Sequence, residues 1–315
     1  MVVIGIDIGG TSIKGAGISS EGKVMETFSL PIDNNLSGEE TITKLAKLTK
    51  DYIDQHKDVM FEGIGIGVPG IVDIQKGDVV FSNNLHWENL HLSKIFHKYI
   101  DLPVKITNDA NAAALAEIMF GNATKYNSCV LLTLGTGVGS GIVIDRKLYE
   151  GNEGKGAEIG HMVIVKDGRQ CTCGRKGCFE TYASATGLIN TTKEVLVKYP
   201  KSKIWELINY DLKNVSGRSA FEAYRQKDEA GIEIVNRYIS DLGEGILNLC
   251  NIFRPEAIIL SGGVANEGEY LLTRVRNYLK KEHYGMKGSP SVDVIVSSLG
   301  YDSGKIGAAC LILFK

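Results

Sequence analysis

The chain has 315 residues, enough for two domains of ordinary size. Hydrophobic residues make up 43%, charged residues 23%, and the formal net charge is -2, so the basic stripe that nucleic-acid binding needs is missing. No apolar run reaches the roughly 18 residues of a membrane span, and the opening VVIGI is too short and lacks the basic flank of a signal peptide. The expected setting is the cytoplasm, with no nucleic-acid or membrane partner.

Apolar periodicity and turn residues lay out the elements in order. Val2 to Ile8 reads as a buried strand, Ile13 to Ser19 as a second, and Val24 to Leu30 as a third after a turn at Gly22-Lys23. Glu39 to Lys57 has helical spacing. Gly63 to Val68 is a strand ending at Pro69-Gly70, and Ile71-Val72 with Val79-Val80 form a small hairpin. Leu92 to Tyr99 is a short helix, Val104 to Thr107 a strand, and Asp109 to Met119 an alanine-rich helix. A boundary is expected near Gly121 to Lys125. Cys129 to Leu134 opens the second half as a strand. Lys166 to Glu180 is too rich in Gly and Cys for an ordinary core. Ala183 to Tyr199 and Ala220 to Ile252 (with breaks) are helical, Ala257 to Leu260 and Val292 to Val296 are strands, and Gly304 to Ile312 is the closing helix. The fold class is α/β with two domains. The first spans 1–121, completed by the returning helix at 303–315. The second spans 122–302 and carries an excursion at 161–180.

Two segments repeat one pattern: an apolar run, a Gly/Thr-rich turn, then a second apolar run. They are Val3 to Ile18 and Cys129 to Ile144. In Asp7-Ile8-Gly9-Gly10-Thr11 the glycines let backbone N–H groups approach phosphate, and Thr11 adds a hydroxyl. Asp7 suits orienting a magnesium-bound water better than touching phosphate. Lys14 either reaches phosphate or faces solvent. Gly135-Thr136-Gly137 is the second copy. A strand, not a helix, follows the first glycine turn, which argues against a dinucleotide-binding site.

Asn108-Asp109 lies where a strand ends and a helix begins. A sugar or alcohol hydroxyl is a poor nucleophile at neutral pH, and a carboxylate within hydrogen-bond reach can take its proton as the bond to phosphorus forms. The competing reading makes Asp109 a helix N-cap. Asn108 can bond the same substrate. Glu158 and Glu180 flank a glycine-rich and cysteine-rich region; they are either acceptors for vicinal hydroxyls or surface acids. Asn83 and Asn84 serve the sugar or cap a turn. Ser261-Gly262-Gly263 ends a buried strand and either passes beneath an adenosine or is a plain turn.

The chain has six cysteines, three of them packed into Cys171-x-Cys173-x4-Cys178. That spacing matches a tetrahedral zinc site lacking one ligand, and His161 is the nearest candidate for it. Such a zinc would be structural and would make the excursion rigid. The alternative is a reactive thiol cluster or one local disulfide.

Taken together, these strings resemble the ROK family of bacterial sugar kinases and repressors. The resemblance rests on Asp7 to Thr11, Asn108 to Ala113, Gly135 to Gly139, Glu158-Ile159-Gly160-His161, Cys171 to Glu180 and Ser261-Gly262-Gly263. It implies the two-domain actin-like ATPase/hexokinase (ribonuclease H-like) fold with an interdomain cleft. It implies ATP-dependent phosphorylation of a hexose 6-hydroxyl, with Asp109 as general base. Asn108, Glu158, His161 and Glu180 would bind the sugar, with help from Asn83 or Asn84. Gly9, Gly10, Thr11, Thr136, Gly137, Gly262 and Gly263 would bind ATP, with Lys14 beside them. Magnesium would travel with ATP near Asp7. His161 would complete a structural zinc site with Cys171, Cys173 and Cys178. The family is usually dimeric or tetrameric, so a homodimer or homotetramer is expected. Glu180 to Gly187 points to the glucokinase branch, with kinases of N-acetylmannosamine, N-acetylglucosamine or fructose as alternatives. A non-catalytic sugar sensor is the alternative of a different class; the absence of an N-terminal DNA-binding segment weighs against it.

Overall fold

The structure, a computed structural model, describes residues 1–282, 284 and 292–314. The first half runs β1 (Val2–Ile8), β2 (Ser12–Ser19), β3 (Val24–Pro31), α1 (Gly38–Gln55), β4 (Phe61–Val68), β5 (Ile71–Asp73), β6 (Asp78–Ser82), β7 (Trp87–Leu90), α2 (Leu92–Phe96), β8 (Val104–Asn108) and α3 (Asp109–Phe120). The second runs β9 (Cys129–Leu134), β10 (Val138–Ile144), β11 (Lys147–Tyr149), α4 (Glu180–Ala183), α5 (Ala185–Leu196), α6 (Ile204–Leu207), α7 (Gly217–Arg225), α8 (Glu229–Phe253), β12 (Ala257–Ser261), α9 (Glu269–Glu282), β13 (Asp293–Val296) and α10 (Ser303–Leu313). None of the described helices is long and apolar enough to cross a membrane.

The residues group into two units. One comprises Met1–Leu131, Gly141–Ala157 and Ser297–Lys315; the other comprises Leu132–Ser140 and Glu158–Val296.

In the first unit a mixed sheet has the order β3-β2-β1-β4-β8. The β1–β2 and β2–β3 pairs are antiparallel, as the short turns between them require, while β1–β4 and β4–β8 are parallel. Alternation along β1 and β4 buries Ile4, Ile6, Ile8, Ile64, Ile66 and Val68. β4 carries glycines at every second position, Gly63, Gly65 and Gly67, and β1 carries Gly5 beside Gly65; these set how near the last helix lies. A Cβ at Gly5 would strike the Lys305 carbonyl, and one at Gly65 would strike the Ala308 carbonyl. The small residues of α10 thus lie on bare backbone of β1 and β4, and α10 also packs on α3. A smaller sheet, β5-β6-β7, belongs to the same unit.

A buried acid fixes the approach to α10. Glu117 on α3 has no exposed surface. Its carboxylate accepts from Ser297 Oγ at 2.7 Å, from the N–H groups of Ser298 and Leu299 at 2.8 and 2.9 Å, and from the Asn122 N–H at 3.0 Å. Removing it leaves several partly buried donors without their acceptor at once. Glu117→Ala is expected to cost about 3 kcal/mol, the upper end for hydrogen bonds to a charged group. Urea titration should show a lower midpoint at unchanged slope.

In the second unit β12 and β13 pair in parallel. The helices differ from expectation where caps interrupt them. The expected helix from Ala183 splits at Ser184, whose Oγ caps α5 by accepting from the Gly187 N–H at 2.9 Å. The expected helix from Ala220 breaks before Asp228, which caps α8 through the Gly231 N–H at 3.0 Å. Strands β7 and β11 and helices α6 and α9 are additional to the expected elements. In α9, Leu271, Leu272, Val275 and Leu279 are buried at helical spacing.

Candidate active site

The two glycine loops fall where the repeat placed them. Gly9 to Thr11 joins β1 to β2, closed by the Gly9 N–H donating to the Ser12 carbonyl at 3.0 Å. Gly135 to Gly137 joins β9 to β10, with the Gly135 N–H donating to the Gly137 carbonyl at 3.1 Å. Gly10, Thr11 and Thr136 are exposed, as are Gly262 and Gly263.

In the first unit the sheet register brings two acids to one end. Asp7 lies opposite Gly67 on β4, and Gly67 lies opposite Thr107 on β8, one residue before Asn108 and two before Asp109. Asn108, not Asp109, caps α3: its Oδ1 accepts from the Ala110 N–H at 2.9 Å, and its Nδ2 donates to the Gly70 carbonyl at 3.0 Å. Asp109 is the first helical residue, half-buried, and its Oδ1 also accepts from the Ala110 N–H at 2.9 Å. The capping duty that competed for Asp109 is therefore met by its neighbour. Burial holds Asp109 above the ordinary carboxylate range, against the pull of backbone hydrogen bonds. Asp7 is pushed up to about 6, first by burial and then by the charge of Asp109. The Lys305 and Lys14 ammoniums oppose this. Asp7 also lies against the first turn of α10, where a Cβ on Gly304 would sit 2.7 Å from its carboxylate oxygens.

Lys14 pairs across the hairpin with Asp7 and is exposed, its Nζ 5.6 Å from the Tyr301 ring centroid. Asn83 and Asn84 are exposed in the turn between β6 and β7. Two further groups line this region without having been singled out. Thr107 Oγ1 donates to Glu150 Oε1 at 2.6 Å, and Lys305 donates to Asp302 Oδ1 at 2.6 Å. In the sequence, a lysine that follows Asp302-Ser303-Gly304 carries no mark of burial.

In the second unit, His161, Cys171, Cys173 and Cys178 place one ligand atom each within 4.8 Å of one another. Cys171 Sγ is 3.6 Å from His161 Nδ1, and Cys173 Sγ is 3.6 Å from Cys178 Sγ. Tetrahedral ligands about 2.3 Å from a zinc ion lie about 3.8 Å apart, so the four fit one such ion. No two of these cysteines are joined by a disulfide. Backbone regularity in the excursion is limited to the bridges Val163–Cys178 and Gln170–Lys176. Arg169 ties it to the neighbouring helices, donating to the Thr181 carbonyl at 2.9 Å and to Glu194 Oε2 at 2.6 Å.

Glu180 joins this cluster to the second glycine loop. Its Oε1 is 3.0 Å from Cys171 Sγ and 3.8 Å from His161 Nδ1. A Cβ on Gly137 would sit 2.6 Å from its Oε2. Glu158 is exposed and precedes a single turn, Ile159–His161, whose Ile159 N–H donates to Ser140 Oγ at 3.2 Å. On the other side of the glycine loop, the Ala185 N–H donates to the Gly135 carbonyl at 2.8 Å. Gly262 has φ 87 and lies against Leu134, where a side chain would fit neither the angle nor the space. Next to it opens a cavity of about 780 Å³ lined by Ala185, Gly263, Phe221, Arg218, Arg225 and Glu267. Arg225 pairs with Glu267 across it. The α7 wall of this cavity carries no site motif in the sequence, where the helix is expected only from Ala220.

The chain belongs to the ROK family, whose pattern matches residues 3–315. It is 33% identical to a glucokinase of Halalkalibacterium halodurans, over 98% of this chain and 94% of that one. It is 30% identical to a xylose repressor of Bacillus spizizenii, over 98% of this chain and 76% of the repressor. Among solved structures it is similar to a ROK family glucokinase from Streptomyces griseus in complex with glucose and AMPPNP. There the TM-score is 0.80 and the identity 33%, covering 99% of both chains.

Proposed function

We propose that this protein is an ATP-dependent hexose kinase that phosphorylates the sugar 6-hydroxyl, with glucose as its substrate. The observation that carries the reading is Asp109, a half-buried carboxylate relieved of capping duty at the start of α3, with its affinity for protons raised by burial. A base of raised pKa is better matched to taking a proton near neutral pH than an ordinary surface aspartate. The similarity to glucokinases, one of them solved with glucose and AMPPNP, supports the choice of sugar and donor.

In this reading Asp109 accepts the hydroxyl proton, and Asn108, Glu158, His161 and Glu180 hold the sugar, with Asn83 or Asn84 at its edge. Gly9, Gly10, Thr11, Thr136, Gly137, Gly262 and Gly263 approach the nucleotide, with Lys14 near its phosphates. The cavity beside Gly263 offers room for the nucleoside. Magnesium travelling with ATP would supply charge neutralisation of the phosphates, with Asp7 as the residue that would meet its hydration shell. His161, Cys171, Cys173 and Cys178 would hold a structural zinc, which would steady Glu180.

The test is a panel of glucose, N-acetylmannosamine, N-acetylglucosamine, fructose and xylose, assayed with magnesium and ATP for sugar-dependent ADP release. Glucose is expected to give the highest kcat/KM. A much higher value for another sugar would rename the substrate. The xylose repressor relative makes a binding module the second reading. Sugar binding without ADP release would select it.

A further inference from the structure

Lys305 is the anomaly of the first unit: a lysine only 4% exposed. Lysine is almost never buried this far unless it is paired. Its ammonium donates to Asp302 Oδ1 at 2.6 Å, yet Asp302 is itself half-exposed at 51% and could form that pair in water. Surface pairing does not account for the burial. The backbone does: the Lys305 carbonyl lies directly on Gly5 of β1. Gly5 and Asp7 are two residues apart on one strand and so share a face. Gly304, the preceding residue, lies against the Asp7 carboxylate. The first turn of α10 is thus laid along the strand that carries Asp7.

The charged groups acting on Asp7 come from three elements: Lys14 on β2, Asp109 on α3 and Lys305 on α10. The β4 neighbour in this row is Gly67 and adds none. The Asp109 carboxylate adds its negative charge to that of Asp7 here, and a polyphosphate brought to them adds more. Lys14 is exposed and screened by solvent, whereas Lys305 is not.

We infer that Lys305 is a positioning residue of the phosphoryl-transfer site, the buried countercharge that keeps Asp7 in place beside Asp109. The inference rests on the kinase reading above. Lys305 acts through Asp7 and does not touch the sugar.

The test compares wild type, K305M, K305R, D7N and D7N/K305M, each checked by near-UV circular dichroism and thermal melting. K305M is expected to lower kcat at least about tenfold while the sugar KM stays within about twofold. K305R keeps the charge and should recover most of the loss. D7N/K305M should be no slower than D7N, because partners acting as one unit are not additive. If K305M does not fold, D7N should restore folding, since the uncompensated charge is then gone. Wild-type kcat in K305M, the same fold-loss in both backgrounds, or misfolding in both would overturn the inference. If the wild type releases no ADP with any sugar, it is the kinase reading that fails. The pairing is then read from melting alone: a drop for K305M in the wild-type background and none in D7N supports it, and equal drops reject it.

Discussion

Asp109→Asn is expected to cut turnover at least about 100-fold while leaving sugar and ATP affinity nearly intact. Asparagine keeps the shape and can still accept the Ala110 N–H through its oxygen, and Asn108 remains the cap, so α3 should start as before. Only the proton acceptor is lost. The same substitution should not weaken the fold at neutral pH. Burial raises the Asp109 pKa in the folded chain, so ionising it costs more there than in the unfolded chain. That penalty is absent below the unfolded value of about 3.9 and fully present above the folded value. At pH 8 the Asn variant should therefore melt no lower than wild type, and the comparison should reverse in sign only if Asp109 is stabilised by a cation. In the wild type, kcat/KM should fall as pH drops through the raised Asp109 value, giving an acid limb above about 3.9. Normal turnover by a folded Asn variant would reject Asp109 as the base.

The second large effect concerns the cysteine cluster. One tightly held zinc per chain is expected, and Cys178→Ser should lose it. The segment around it has two isolated bridges and little regular backbone, so the metal would do the work that a core does elsewhere. Arg169 still ties the segment to Thr181 and Glu194, so collapse should be local and not global. Glu180 lies within 3.0 Å of Cys171 Sγ, and losing the ion should let its carboxylate drift from the glycine loop. The expected kinetic result is a sugar KM raised at least about tenfold with a smaller change in kcat, the signature of lost binding. Metal analysis and melting before and after exhaustive chelation check the rest. Full activity in a zinc-free, folded chain would remove the structural role.

What could be read beforehand depended on whether the signal was local. Val2 to Ile8, Cys129 to Leu134 and the closing helix were legible because periodicity and glycine turns act over a few residues. The cysteine cluster was legible for the same reason: its residues are close in sequence. Helix α9 was passed over although Leu271, Leu272, Val275 and Leu279 carry the period; its many charges dilute the apolar pattern. The helix boundaries at Ser184 and Asp228 depended on which of several polar residues became caps. The meeting of Asp7 with Asp109 was not legible, because it depends on the row Asp7–Gly67–Thr107 across three strands. Burial of Lys305 and Glu117 likewise comes from tertiary packing alone. A lysine after Asp-Ser-Gly and a glutamate in an alanine-rich helix look like surface residues until the partners arrive.

The placement of α10 has a consequence for synthesis. Strands β1 and β4 are made well before the helix that covers their glycines. A nascent chain at residue 131 therefore carries a sheet with one face still open to water. That face stays uncovered while the residues up to α10 are translated, a stage at which exposed apolar surface is prone to aggregate.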